Sequence, residues 1–291
     1  MLNDFNVTFN ESIINGSIIP IEVLITSSDG HTRKNIIPIM VGEASETDPT
    51  GPDAYGYYIY DDRDVDYDLS PDYNWIEIAE GLGQKLEIYD NGNGNNYSGT
   101  YTYGSTVLDL PFIFTFYGID YNQIVVNTNG WISFGSTDQE SFRNDHLPGP
   151  AGPSPMLAVF WDDLTADSGG AVYGYYDSDL HVYIVQWNNV KTYEDNSNES
   201  FQAILFDPQF YTTPTGDGEI LLQYEDFNNT SNGSYGGGTP QHGGYCSIGI
   251  EDHSGLIGIE YTFNNSWNRT ASELDDGTAL FISTRKTGTI F

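Results

Sequence analysis

Leu110 to Gly135, LPFIFTFYGIDYNQIVVNTNGWISFG, is the stretch that most narrows the folds open to this chain. Phe112, Phe114 and Phe116 alternate with Ile113 and Thr115, so the rings fall on one face at period two, the mark of a half-buried strand. Tyr117-Gly118 breaks the run. Ile124, Val125 and Val126 restart it as a β-branched strand. Asn129-Gly130 reads as a hairpin turn because both residues tolerate positive φ. Trp131, Ile132 and Phe134 then return as a third strand.

The same pattern extends along the chain. Met156 to Trp161, Val172 to Tyr176, Val182 to Trp187, Phe201 to Phe206, Ile220 to Tyr224, Cys246 to Glu251, Leu256 to Phe263 and Thr278 to Ser283 all read as strands. Gly, Asn, Asp and Pro punctuate them, and no segment of helical period intervenes. The expected class is all-β: an antiparallel β-sandwich or jelly-roll-like main domain.

Charge excludes some partners. Nine Lys and Arg stand against 42 Asp and Glu, a formal charge of −33. Nucleic-acid binding needs a basic footprint and is not expected. No run approaches the ~20 apolar residues of a membrane-spanning helix, so no membrane insertion is expected. The single cysteine, Cys246, has no intrachain disulfide partner and lies in a strand-like run, where a small buried residue fits.

Residues 1–44 read as a separate β segment. Phe5 to Phe9 alternates, Ile18 to Thr26 is an apolar strand, Asp29-Gly30 turns, and Ile36 to Val41 returns. Three strands bury a face only against something else, which suggests a partial immunoglobulin-like segment. Residues 45–54 form a polar linker with two prolines, and 55–291 form the main domain. Met1 to Phe5 lacks a basic region followed by an apolar one, so no secretory signal is visible, and the chain is expected to be a piece of a longer one.

Several fragments carry a family resemblance through their order. They are Leu110-Pro111-Phe112 with Phe116-Tyr117-Gly118, then Val126 to Gly135, Ala158 to Leu164, Val185 to Val190, and Phe201-Gln-Ala-Ile-Leu-Phe-Asp-Pro208. This order resembles the nidogen-like (NIDO-like) extracellular β module. It is closer still to a module of large secreted bacterial and archaeal proteins, where it accompanies gingipain-like or subtilisin-like peptidase domains and Ig-like repeats. The resemblance spans residues 51–284. It implies an extracellular or cell-surface, non-catalytic module for adhesion, spacing or presentation. Its partners would be other domains of the same polypeptide, or surface glycans or proteins.

Among chemical candidates, Asp61, Asp62, Asp64, Asp66 and Asp68 stand out in Asp61-Asp-Arg-Asp-Val-Asp-Tyr-Asp68. If the stretch is extended, the last four share a face, and their repulsion would be relieved by a hard cation such as calcium. It lacks the glycine and terminal Glu of an EF-hand loop. Asp162-Asp163 follows a buried strand and reads as structural, while Asp217 reads as a turn residue. Trp267, in Asn264-Asn-Ser-Trp-Asn268, is the one Trp placed on a loop, where its ring could stack on a sugar. A calcium-dependent carbohydrate-binding domain is therefore the alternative function. Cys246 and His242 are a peptidase-type pair of residue types, but no catalytic motif surrounds either.

Overall fold

A computed structural model describes residues 7–8, 13–88, 90, 104–166, 169–234 and 244–286. Among them lie seventeen strands in three antiparallel sheets, with no helix. An eight-stranded sheet runs β3 (Tyr58–Asp61), β17 (Thr278–Ser283), β13 (Ile220–Asp226), β12 (Asn198–Phe206), β11 (Val182–Thr192), β10 (Ala171–Asp177) and β4 (Gln84–Lys85), with β9 (Leu164–Thr165) paired beside β11. A seven-stranded sheet runs β16 (Ser266–Trp267), β15 (Gly258–Phe263), β14 (Ser247–Glu251), β8 (Met156–Trp161), β7 (Trp131–Phe134), β6 (Ile119–Asn127) and β5 (Ser105–Phe116). β1 (Ile18–Thr26) and β2 (Thr32–Met40) form a two-stranded ribbon of their own.

The period-two reading of the opening segment holds. Phe112, Phe114 and Phe116 are buried and Ile113 is exposed. Phe114 stacks on Phe134, with centroids 5.2 Å apart. Pro111 has no N–H to give a ladder, and it falls where the β5–β6 register shifts between Asp109 and Phe114. The turn chemistry differs from expectation. Asn127 pairs with Trp131, leaving a three-residue loop in which Gly130 has positive φ (76°) and Asn129 does not. Within this segment, the two-residue turn with positive φ at both positions is Tyr117-Gly118 (49° and 71°), between Phe116 and Ile119. A Cβ at Gly130 would sit 1.9 Å from the Phe160 carbonyl oxygen, so the loop's close approach to β8 requires glycine.

The sheets face each other across an aromatic core that includes Phe160, Trp187, Phe201 and Tyr224. Hydrogen bonds cross it. Trp187 donates its indole N–H to the Asn127 carbonyl at 2.9 Å, and Tyr224 donates its hydroxyl to the Val159 carbonyl at 2.8 Å. Both satisfy polar atoms that burial would otherwise strand.

Each sheet also buries much of its outer face. Trp131 and Trp161 pack there with Val125, Leu147, Met156 and Ala158, and both indoles donate to the Ser141 carbonyl. The unbroken burial of Met156–Trp161 follows, because both of its faces are covered. On the eight-stranded sheet, Trp75 to Ile78 adds no ladder strand of its own. It lies over Val182, Ile184 and Ile204, with Ile78 buried among them.

At the amino end, β1 and the turn fall where expected, while β2 begins at Thr32, four residues before the expected return strand. Of the expected strand Phe5 to Phe9, only Val7 and Thr8 are described; Phe5, Asn6 and Phe9 lie outside the described residues, as does the Asn91 to Asn96 stretch. The ribbon's base is anchored to the sandwich. Ile14 is buried against Tyr58 and Tyr60, and Asn15 donates to Asp48, which also accepts the Tyr67 hydroxyl.

Candidate functional site

The acidic run does not extend. Beyond β3 the backbone makes successive turns, with Asp64 N–H bonded to the Asp61 carbonyl, Tyr67 to Asp64 and Ser70 to Tyr67. The local cause is capping by side chains: Asp61 accepts the Arg63 N–H at 2.9 Å, and Asp64 accepts the Asp61 N–H at 2.9 Å. The expected sharing of one face is therefore lost. Asp61 and Asp64 are buried, Asp62 is half-buried, and Asp66 and Asp68 are exposed. Asp61 also accepts the Tyr261 hydroxyl at 2.8 Å and the Ser272 N–H at 3.1 Å, so it ties β3 to the seven-stranded sheet.

Asp64 is the chemically unusual member. Its Oδ1 is buried without a hydrogen-bond partner. Burial first, and the neighbouring Asp61 second, push its pKa to about 8. Among the described residues, no group of three or more His, Cys, Asp or Glu is placed to hold a metal ion.

A second set of buried acids lies under the Phe160-Trp161-Asp162-Asp163 motif. Asp162 accepts its neighbour's N–H at 2.8 Å, and burial pushes its pKa well up. Burial, then Asp90, raises Asp163 to about 8. Burial raises Glu199 to about 7, against donors from Ser197, Asn228 and Asn229. These carboxyls contribute to the field at Cys246, whose thiol is pushed well up by burial and then by Asp162 and Glu199. A thiol that is fully buried and held protonated is no nucleophile. His242 lies outside the described residues.

Asp217 does more than complete a turn. It is fully buried and accepts the Tyr55 hydroxyl (2.8 Å), the Tyr57 hydroxyl (3.3 Å) and the Gly118 N–H (2.9 Å). It thereby clamps the Tyr117-Gly118 turn to the start of the main domain.

Trp267 is not on a loop. It forms β16 after the turn Asn264-Asn265, both of positive φ, and it is half-buried edge-on to Tyr261 at 6.0 Å. The residues after it, Asn268 to Thr270, reach a feature that sequence alone did not reveal. A cleft of about 660 Å³ opens between the base of the β1–β2 ribbon and the sandwich. Ile18 and Met40, directly paired at the foot of the ribbon, line one side; Pro52, Ala54 and Arg269 line the other. Its volume is in the ordinary range of ligand sites, on the order of 300–1,000 Å³. The apolar foot of the ribbon was legible in the sequence, but its apposition to Arg269 depends on the fold.

No helix among the described residues is long and apolar enough to cross a membrane. No solved structure matches this chain. The family model described as NIDO related matches residues 87–290, from just beyond β4 to past the end of β17. The eight-stranded sheet is thus completed by β3 and β4 from outside the matched range, and the cleft borrows its ribbon wall from there too. With well over half of the chain matched, and an all-β sandwich to go with it, the protein belongs to the NIDO-related family.

Proposed function

We propose that this chain is a non-catalytic extracellular module that spaces, presents or attaches a neighbouring domain, with the β1–β2 ribbon as its contact element. Membership of the NIDO-related family supports an extracellular β module. The observation that carries the contact role is the ribbon itself. Ile18, Leu24, Ile25, Ile36, Ile37 and Met40 are each 50–68% exposed. Elsewhere the described domain buries much of the outer side of both sheets, and its exposed strand aliphatics, Val107, Ile113 and Ile119, are fewer and mostly less exposed than those of the ribbon. A two-stranded ribbon is marginal alone, and exposed apolar patches mark docking surfaces.

One face presents Ile19, Ile21, Val23 and Ile25 beside Ile37 and Ile39. The natural partner for such a face is another β layer, supplied by a further domain of the same polypeptide or by a surface protein. Amide hydrogen exchange tests this. The β1–β2 amides should exchange fast in the isolated 291 residues and slow down at least tenfold at the surface of producing cells. Equal exchange in both settings would refute the contact role.

A further inference from the structure

We propose that the cleft at the foot of the ribbon is a binding site for an extended peptide segment that carries aliphatic side chains and a carboxylate. The inference rests on the docking reading of the ribbon and names the chemistry of what docks.

Charge is the first argument. The chain carries −33, yet Arg269 is exposed in the cleft wall and makes no ion pair with any described residue. Two other cations are committed, since Lys34 pairs with Glu22 and Arg285 pairs with Glu219. Among the described lining residues Asp53 is the one acid, and it is already saturated. Its Oδ1 accepts the N–H groups of Tyr55, Gly56 and Tyr57, and its Oδ2 accepts the Tyr117 hydroxyl at 2.7 Å. Those donors occupy the Asp53 oxygens but leave its charge, so the free charged donor in the cleft wall is the guanidinium, whose fork suits a carboxylate.

The walls are the second argument. Ile18, Met40, Pro52 and Ala54 are aliphatic, and the described lining residues include no aromatic ring to stack on a sugar. Out of the cleft, Ile18 and Met40 share one face of the ribbon with Ile36 and Leu24, which flank the Glu22–Lys34 ion pair. From Ile18 to Leu24 that face is roughly 20 Å long at ~3.3 Å per residue. Backbone is the third argument. Among the described residues β1 and β2 pair only with each other, so the outer edges of the ribbon offer N–H and C=O groups to an added strand.

The probe is a fluorescein-labelled nonapeptide of alternating valine and threonine ending in aspartate with a free carboxyl terminus. Its control ends in asparagine amide. The acid peptide should bind more tightly than the amide by about tenfold, the scale of a charge-assisted contact. Arg269→Glu, exposed and so compatible with folding, should abolish that preference; Arg269→Lys should restore part of it. Ile18→Ser with Met40→Ser should weaken both peptides alike, with the melting temperature as the check on folding. Equal affinity for the two peptides overturns the proposal. So does a preference that survives Arg269→Glu, or binding of a uronate oligosaccharide but neither peptide. Loss of peptide binding with ribbon protection retained on cells would sink this inference and leave the docking reading standing.

Discussion

Gln223 spends both ends of its side-chain amide on one residue. Its Oε1 accepts the Asn74 N–H at 2.5 Å, and its Nε2 donates to the Asn74 carbonyl at 3.0 Å. The amide thus acts as a strand neighbour for the segment that roofs the eight-stranded sheet. The device repeats across the ladder, where Gln186, Gln202 and Gln223 are cross-strand partners. Gln202 donates to the Ile76 carbonyl at 3.2 Å, and Gln186 accepts the Ile78 N–H at 3.1 Å. All three side chains are fully buried. Gln223→Leu strands the Asn74 groups and should cost about 1–3 kcal/mol. Hydrogen exchange should show faster exchange at Asn74, with the sheet amides of β12 little changed.

Stability should fall as pH rises through neutrality. Asp64 and Asp163 are raised to about 8 and Glu199 to about 7. A raised carboxyl binds its proton more tightly in the folded state. Its contribution is therefore complete below the unfolded value of about 4 and is lost as pH climbs to 7 and 8. Asp48 and Asp252 act in the opposite sense. Burial works upward on each, but hydrogen bonds outweigh it and hold both below the usual range, so their contribution is lost as pH falls through that range. The melting temperature should peak in mildly acidic buffer and decline from about pH 5 to pH 8. Asp163→Asn should flatten the decline.

Cys246 should be inert in the folded protein. Its side chain is fully buried and its thiol is held protonated. Iodoacetamide should leave it unmodified by mass spectrometry under native conditions and alkylate it fully in denaturant. Rapid native labelling would show an accessible thiol and reopen the peptidase reading.

Millimolar calcium should leave the melting temperature unchanged, since Asp61 is committed to Tyr261, Ser272 and Arg63 while Asp66 and Asp68 face solvent. Asp64→Asn should stabilise the protein at neutral pH by removing a buried carboxyl that must take up a proton there on folding. A calcium-induced rise that this variant abolishes would instead place a cation beside Asp64.

The strands were legible because burial on one face leaves a period-two trace, as in Phe112, Phe114 and Phe116. Turn type was less so. A two-residue and a three-residue loop differ only in register, and register is set by the pairing of Asn127 with Trp131. Alternating aspartates read as a strand face, but Asp61 and Asp64 cap the backbone into turns, which spacing alone does not disclose. The glutamine row was invisible for a similar reason. A polar residue within an apolar strand normally signals a solvent face, and only the roofing segment makes it interior. The cleft was beyond reach of the sequence, since Ile18 and Arg269 meet only in the fold.

Lys34, an exposed amine of the ribbon that is cross-strand to Leu24 and adjacent in register to Ile25, offers the most direct test of the docking account. Amine-reactive cross-linking on producing cells, read by mass spectrometry, should join Lys34 to a residue that is not among these 291, while exposed Lys85 on the sandwich forms few such links. Ile25→Asp with Ile37→Asp should remove the Lys34 links without lowering the yield of folded protein. Cross-links from Lys34 that stay within this chain, or that survive those substitutions, would contradict a role for the ribbon in holding a neighbour.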